Sequence, residues 1–307
     1  MQTFLPAEDF ADSARLLDSP RLGKQRVETL QILRAIELPD YGWANHPAVL
    51  MWRGRTPALV AYGLAMARIW QERGFADSTA AQIGEFAPEV VGVPQRELAE
   101  AGLLPSWLGN EELHRSHRSN LIAKDPGFYR RRFADRFGAE PDDLPYVWPP
   151  PDDVPVVPPA DGVRVWVLRP RSHHEVGACL AAGVVGLGTQ SGVDVDATGL
   201  SPTELRLLAR ELSGRRPAKD LRQLSAFLDD VRPGDPVALL IEGGAALLLG
   251  TVVGDYEFHG RELLPHRRRA RWDRVVPRTA ALPPATLQDP RALFRVTLDP
   301  AVVRSLS

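Results

Sequence analysis

The segment Pro141–Pro159, PDDLPYVWPPPDDVPVVPP, divides the sequence, because eight of its nineteen residues are proline. Proline lacks a backbone N–H and clashes with the preceding helical turn, so a helix does not continue through such a segment. Proline-rich chain favours a stiff, extended conformation. The sequence therefore predicts a first domain of residues 1–146, a linker of residues 147–162 and a second domain of residues 163–307.

Helical patterns fill the chain before this segment. Ser19-Pro20 and Thr56-Pro57 each place proline at the start of a pattern, where a helix tolerates it best. These pairs open PRLGKQRVETLQILRAIE and TPALVAYGLAMARIWQERG, and the other helical stretches are DFADSARLLD, NEELHRSHRSNLIAKD and DPGFYRRRFADRF. We therefore expect an all-α first domain.

Strand patterns appear after the segment, mixed with helices. VRVWVL (163–168) and VVGLGT (184–189) read as strands, and the capping box Ser201-Pro-Thr-Glu204 opens the helix SPTELRLLARELSG. A second helix is expected at PAKDLRQLSAFLDDV. The remaining strands are expected in PVALLIEGGAALLLGTVVGDYEF, joined at Glu242-Gly243-Gly244, and in HRRRARW and ALFRVTL. This order predicts a small α+β second domain in a multidomain protein.

Composition excludes several classes of protein. The 37 basic and 39 acidic residues leave a net charge of −2, so the chain does not bind nucleic acid through bulk charge. The single cysteine, Cys179, forms neither an internal disulfide nor a cysteine zinc cluster. The start MQTFLPAEDF does not resemble a signal peptide, and no apolar run reaches the ~18–20 residues of a membrane span. We expect a soluble, cytoplasmic protein without a membrane partner or cofactor.

The predicted helix from Arg21 to Glu37 carries a carboxylate among cations. Arg21, Lys24 and Glu28 follow i, i+3, i+7 spacing and therefore share one face. On periodicity alone, an ordinary i, i+4 ion pair between Lys24 and Glu28 on a solvated face is the favoured interpretation, and a functional site is the alternative. Arg26 falls among the apolar positions, so its guanidinium must be paired or reach the edge of the helix.

A second basic cluster follows further along the chain. His114, His117 and Arg118 lie on one helical face, beside Arg115. Histidine and arginine at this density are typical of phosphate contacts in DNA-binding proteins. Zinc is the other interpretation of the two histidines, but the usual ligand number and spacing are absent, so we predict no metal site.

The first half, about residues 1–146, resembles the phage pyrimidine-dimer DNA glycosylases, often called endonuclease V, and their bacterial relatives. The resemblance rests on the blocks LLDSPRLGKQRVETLQIL, HPAVLMWRGRTPALVAYGLAMARIWQERGF and LPSWLGNEELHRSHRSNLIAKDPGFYRRRF. It implies a compact helical fold in which the N-terminal amine attacks the anomeric carbon of a damaged nucleotide. Glu28 aligns with the glutamate that assists this attack, and His46 aligns with a histidine of the middle block.

The nucleophile is the point at which this chain departs from the phage enzyme, which exposes a small residue after losing its initiator methionine. Here the bulky Gln2 follows Met1, which normally blocks that removal, so Met1 keeps the free amine. An α-amine has a pKa of about 7.7–8.0 against about 10.4 for lysine, so more of it is the neutral nucleophile at pH 7. Lys24 is the reserve nucleophile, because burial or the neighbouring charges of Arg21 and Arg26 would lower its pKa.

These arguments define the candidate site of the first domain. The predicted catalytic residues are Met1, Lys24 and Glu28. The predicted DNA-binding residues are Arg21, Arg26, His46, His114, Arg115, His117 and Arg118.

The second half, about residues 163–298, resembles the PUA-like domains, including the related EVE and restriction-associated modules. The resemblance rests on VRVWVLRP, GVVGLGT, SPTELRLLAREL, FLDDVRPGDPVALL and GTVVGDYEFH. It implies nucleic-acid binding and, in some members, a pocket for a flipped modified base. Trp166, Tyr256 and Trp272 are the candidate base-binding residues, although large aromatic side chains are also common in cores.

The run HRRRARWDRVVPR is the densest positive segment of the chain. We predict DNA contacts from its Arg267, Arg268, Arg269 and Arg271, with a solvated face as the open alternative.

Together these features predict a DNA glycosylase, with or without AP-lyase activity. Its substrate would be a modified or damaged pyrimidine in double-stranded DNA, in repair or in defence against modified invader DNA. A non-catalytic reader of modified DNA or RNA is the alternative. A metal-dependent nuclease is disfavoured, because Leu22, Ile122 and Pro217 stand two places before the three lysines and no acidic-x-Lys signature exists.

Overall fold

The computed structural model divides the chain into two compact units, Met1–Pro158 and Pro159–Ser307. It describes residues 1–38, 41–153, 161–213 and 220–304. The first unit is helical and the second contains a six-stranded sheet with helices, which confirms the predicted all-α and α+β halves. Within the expected linker, residues 147–153 contain no helix, and residues 154–160 lie outside the described part.

The first unit consists of helices joined by short turns. Their bounds are α1 Phe10–Leu16, α2 Ser19–Glu37, α3 Pro47–Leu50, α4 Thr56–Glu72, α5 Ala80–Gly84, α6 Gln95–Glu100, α7 Glu111–Lys124 and α8 Pro126–Phe137. The Asp18 side chain caps α2 by accepting from the Arg21 N–H at 2.8 Å. The sequence patterns missed α3, α5 and α6, because four to six residues are too few to display a helical period.

Helices α2 and α4 approach each other closely in the core of this unit. A Cβ atom added at Gly63 would lie 2.6 Å from Cγ2 of Thr29, so only glycine permits this packing distance. The N-terminal segment lies in the same interior, where Thr3 and Leu5 are fully buried. This arrangement brings the start of the chain onto α2.

The second unit is built on one mixed sheet. Its strands are β1 Val163–Leu168, β2 Val184–Leu187, β3 Pro236–Ile241, β4 Ala246–Phe258, β5 His266–Pro277 and β6 Leu293–Leu298, in the order β2-β5-β4-β3-β1-β6. The β1–β3 pair is parallel and the other pairs are antiparallel. The helices are α9 His173–Ala182, α10 Pro202–Ser213, α11 Leu221–Asp229 and α12 Pro300–Val303.

Alternating side chains give this sheet two buried faces. Trp166 and Leu168 of β1 pack with Cys179, Leu205 and Phe227 from the helices α9–α11. On the opposite face, Val165 and Val167 of β1 belong to a second buried cluster with Leu287, from the turns that follow β5, and Val303 of α12. The alternation follows from the two-residue period of a strand.

Within the described parts of both units, no helix combines the length and the apolarity that crossing a membrane requires.

Candidate active site

Glu28, on α2, lies at the centre of the candidate site of the first unit. Its Oε1 atom is 3.7 Å from the Met1 amine and 3.5 Å from Lys24 Nζ. Its Oε2 atom accepts a hydrogen bond from Gln25 Nε2 at 3.1 Å. Glu28 is 6% exposed, so a nearly buried carboxylate faces two amines. The three residues predicted to be catalytic therefore lie together.

Gln25 attaches the start of the chain to α2. Its Oε1 accepts from the Phe4 N–H at 2.8 Å, and its Nε2 donates to the Gln2 carbonyl at 2.9 Å. Thr3 is fixed from the other side, because Trp52 Nε1 donates to its hydroxyl at 3.0 Å. Sequence reasoning missed Gln25, although its position three residues before Glu28 on one helix was the available signal.

Two histidines of α7 hold Leu5 in the same N-terminal segment. His117 Nδ1 accepts from the Leu5 N–H at 2.9 Å, and His114 Nδ1 lies 2.8 Å from the Leu5 carbonyl, to which it donates. Arg118 donates to the Pro6 carbonyl at 2.9 Å. These three side chains satisfy backbone groups that would otherwise be buried without partners.

The predicted DNA-binding role of this α7 face is therefore corrected. His114, His117 and Arg118 are at most 2% exposed, so they offer no surface to a phosphate. Their function in the structure is to anchor the N-terminal segment. Arg115, on the same helix, has a half-exposed side chain and donates to Glu140 at 3.1 Å.

Burial favours the neutral form of both histidines. It lowers the pKa of His117 to about 3, with a smaller contribution from His114, and it lowers the pKa of His114. Neutrality is needed at His117, because only the unprotonated Nδ1 atom accepts the Leu5 N–H.

Arg26 is also a structural residue. Its guanidinium pairs with Asp77 and lies 4.4 Å from the centre of the Trp70 ring, with 12% of the side chain exposed. The sequence-based expectation that this arginine must be paired is confirmed, whereas its predicted DNA contact is corrected. The reason is that its apolar helix position turns it into the unit.

Arg21 and Lys24 remain nearer the surface of α2. Arg21 pairs with Asp18 and lies 3.8 Å from Asp125, with 21% of its side chain exposed. The Lys24 side chain is 69% exposed. The burial that the sequence argument invoked for Lys24 as a reserve nucleophile is therefore absent.

His46 lies at the start of α3. Its Nδ1 accepts from the Ala48 N–H at 3.1 Å and caps α3. Burial lowers the pKa of His46, the Met1 amine lowers it further, and Glu28 opposes them. The pKa of His46 therefore responds to the charges of both Met1 and Glu28.

The basic strand β5 of the second unit alternates between faces. Arg268 is 3% exposed and donates to the carbonyls of Phe227 at 3.3 Å and Leu228 at 3.0 Å, so its predicted DNA contact is corrected. The other three arginines project on the opposite side, each near a carboxylate: Arg267 and Glu262 at 3.9 Å, Arg269 and Glu257 at 3.5 Å, Arg271 and Asp273 at 3.4 Å.

The predicted base-binding aromatics also divide into two groups, those held inside the unit and one that lines a cleft. Trp166 is 8% exposed, donates to Asp235 at 3.3 Å and lies under the guanidinium of Arg295, so it belongs to the core rather than to a base pocket. Trp272 is partly buried and donates to the Cys179 carbonyl at 3.2 Å. Both indole N–H groups are thus occupied within the unit.

Tyr256 differs, because it lines an open cleft of about 470 Å³ together with Arg232 and Arg268. Its hydroxyl lies 2.8 Å from His266 Nδ1. His266 Nε2 is 3.0 Å from the Val193 carbonyl, so Nε2 carries the proton and Nδ1 accepts from the tyrosine. Burial raises the pKa of Tyr256 to about 12.

The described residues contain no group of three or more His, Cys, Asp or Glu side chains arranged to hold a metal ion.

Comparison with known proteins gives a family match for part of the first unit. Residues 1–83 match the model of the family described as pyrimidine dimer DNA glycosylase. This region contains Met1, Lys24, Glu28 and His46, whereas α7 and the second unit lie outside it. No curated protein matches the chain. The family match supports the resemblance seen in the sequence for the N-terminal region.

Proposed function

We propose that the protein is a DNA glycosylase that excises a damaged or modified pyrimidine from double-stranded DNA, with the Met1 amine as nucleophile and Glu28 as its proton acceptor. The observation that carries the proposal is the 3.7 Å distance between the amine and the Glu28 carboxylate, within the region that matches the glycosylase family. Arg21 and Arg115, which retain exposed surface, are the proposed phosphate contacts of this unit.

The proposed reaction begins when Glu28 takes a proton from the Met1 ammonium group. The neutral amine forms a bond to C1′ of the damaged nucleotide, and the bond from C1′ to the base breaks with its electron pair leaving on the base, which takes a proton from the new ammonium group at C1′. Protonated Glu28 then gives its proton to O4′ as the C1′–O4′ bond breaks, and the ring opens to a protonated imine whose positive charge the restored Glu28 carboxylate stabilises. Water hydrolyses the imine and restores the amine.

AP-lyase activity is the second part of the proposal. An imine at C1′ acidifies the C2′ proton, so its removal by a base expels the 3′-phosphate oxygen and breaks the strand. Glu28 is the candidate base, because its Oε1 atom already faces the amine nitrogen.

Met1 is a better nucleophile candidate than Lys24, although both face the same carboxylate oxygen. The hydrogen bonds of Gln25, His114 and His117 fix the N-terminal segment, and the Met1 side chain is 5% exposed. The Lys24 side chain, by contrast, extends into solvent. A fixed nucleophile loses less conformational freedom in the transition state.

For the second unit we propose a PUA-like nucleic-acid-reading role that adds selectivity. The exposed arginines of β5 and the cleft beside Tyr256 support it. The volume of this cleft lies within the range of small-ligand sites. With this reading unit, the chain suits defence against modified invader DNA as well as repair.

Borohydride trapping tests the proposed chemistry, because reduction of the imine links protein and DNA covalently. Duplexes with a pyrimidine dimer, a modified pyrimidine or neither are incubated with the protein, with and without a chelator. We expect a trapped complex on one of the first two duplexes, insensitive to chelator, with the link mapped by mass spectrometry to the N-terminal peptide.

Three variants separate the roles of the site. Glu28→Gln should reduce trapping at least ~100-fold with DNA affinity nearly unchanged, because it keeps the size and removes only the charge and proton transfer. Lys24→Met should retain trapping, and so should Glu37→Gln, the control on the same helix. DNA binding with no trapped species on any duplex would favour the alternative, a non-catalytic reader of modified DNA or RNA.

A further inference from the structure

A row of four rings extends along the first unit. The ring centres of Trp43 and His46 are 5.8 Å apart, those of His46 and Trp148 6.3 Å, and those of Trp148 and Tyr146 5.4 Å. We call these four side chains the ring row. Each ring contacts the next, so the row is one continuous aromatic surface.

The ring row is linked at two points to the N-terminal segment that carries Met1. Helix α3, which His46 caps, is followed by Met51 and Trp52, and both contact the hydroxyl of Thr3. At the other end, Tyr146 packs edge-on against His117, which holds Leu5. The charge of Glu28 influences the pKa of both His46 and Tyr146.

Trp43 is the most exposed member of the row and is held in an unfavourable backbone conformation. Its side chain is 66% exposed, and its φ angle is +77°. The left-handed region is rare for bulky residues, and such strain concentrates at functional sites. The His46 N–H donates to the Trp43 carbonyl at 2.8 Å and thereby ties this turn to α3.

A cation from the turn after α3 contacts this loop. Arg53 donates to the carbonyl of Ala44, the residue that follows Trp43, at 3.1 Å. An exposed indole next to an arginine suits a nucleotide, whose base has a planar face and whose phosphate is negative.

We infer that Trp43 and the ring row form a stacking surface for a nucleobase displaced from the DNA duplex next to the reacting nucleotide. The inference rests on the proposed function. It adds a binding surface for the displaced base, whereas the amine and the carboxylate act only at the sugar. An amine reaches C1′ only when stacking around that nucleotide is disturbed, and a displaced base needs a new partner for its exposed face. Base–aromatic stacking provides one without requiring a particular base.

The strain at Trp43 makes the inference testable through opposite effects on stability and binding. Trp43→Gly removes the ring and also relieves the backbone, because glycine tolerates positive φ. Its melting temperature should therefore equal or exceed that of the parent protein. Its affinity for lesion-containing duplex should fall ~10-fold or more, the loss expected for one stacked base. Trp43→Phe should keep affinity within about 3-fold.

Binding is measured by fluorescence anisotropy in the Glu28→Gln background, so that the duplex is not consumed. The control variant is Phe75→Ala, which removes an exposed aromatic of the same unit that stacks on Trp70 and lies outside the ring row. It should bind within about 2-fold of the parent. A second measurement, borohydride trapping with Glu28 intact, reports the proposed chemistry separately from binding.

The outcomes distinguish the two proposals. If Trp43→Gly binds lesion duplex as tightly as the parent does, the stacking surface is overturned, whatever the trapping experiment shows. If no form of the protein traps DNA but Trp43→Gly loses affinity, the proposed chemistry fails while the stacking surface stands. Loss of affinity in Phe75→Ala equal to that in Trp43→Gly would also overturn the specific role of the ring row.

Discussion

Helix α7 and strand β5 each carry a dense run of basic side chains, yet the two elements use them differently. In α7 the residues at i, i+3 and i+4, His114, His117 and Arg118, all turn inward and hold the N-terminal segment. In β5 burial alternates, so Arg268 is inside while Arg269 and Arg271 face outward. The difference follows from the helical period of 3.6 residues and the strand period of two.

The comparison shows that a cluster of basic residues in a sequence does not by itself indicate a DNA-binding surface. Arg118 and Arg268 have the same structural role, because each donates hydrogen bonds to backbone carbonyls inside its unit. Only the carbonyls bound by α7 belong to a segment that carries a candidate nucleophile. A basic residue can therefore serve DNA chemistry indirectly, by positioning rather than by contact.

The largest expected effect is a difference in stability between variants of Arg118 and Arg115, two arginines of α7 that both contact the Glu140 carboxylate. Arg118→Met should destabilise the protein by about 3–5 kcal/mol, because it leaves Glu140 buried with less compensation. Arg115→Met, the control, should cost less than about 1 kcal/mol, since its side chain is 52% exposed. Urea unfolding measures both, and equal effects would contradict the anchoring role of Arg118.

The next effect concerns pH. Burial lowers the pKa of His117 to about 3, below the ordinary 6.5, so its neutral form stabilises the fold fully above pH 6.5 and this contribution is lost as pH falls toward 3. Between pH 7 and pH 4.5 the loss should be roughly 3 kcal/mol. His117→Gln should show correspondingly less pH dependence in thermal unfolding. The exposed control His174→Gln should behave like the parent, and an unchanged pH profile in His117→Gln would refute the prediction.

A smaller difference is expected between neighbouring arginines of β5. Arg268→Met leaves the carbonyls of Phe227 and Leu228 without its hydrogen bonds and should cost about 2 kcal/mol. Arg269→Met should change stability by less than about 0.5 kcal/mol, because its side chain is two-thirds exposed. Chemical unfolding of the two variants checks this, and a more sensitive Arg269 would reverse the assignment of faces.

The last prediction concerns DNA binding, because the double variant Arg269→Gln, Arg271→Gln should change stability very little. If both side chains contact phosphates, the slope of log affinity against log salt should become less steep by about 1.8. Binding titrations at several salt concentrations measure this slope. An unchanged slope would mean that Glu257 and Asp273 already neutralise these arginines and that β5 does not bind DNA.

The sequence by itself determined the type of each half of the chain. The periods of the stretches on either side of the proline-rich segment distinguish the helices of the first half from the strands and helices of the second. The pairing of Arg26 was also predictable, since an arginine among apolar helix positions needs a partner. The spacing from Arg21 to Glu28 placed a carboxylate on the same helix face as Lys24, and the resemblance to the pyrimidine-dimer glycosylases selected Glu28 as a catalytic candidate.

Only the tertiary structure decided which faces of these elements meet. Leu5 and His117 are 112 residues apart, and no local period shows that a backbone N–H at one position needs the imidazole at the other. Trp43 joins Trp148 in the ring row for the same reason, through His46 and across about a hundred residues. A sequence pattern reports which side chains share a face, because the backbone geometry fixes it locally. What that face contacts depends on how distant segments satisfy one another's polar groups and buried surfaces.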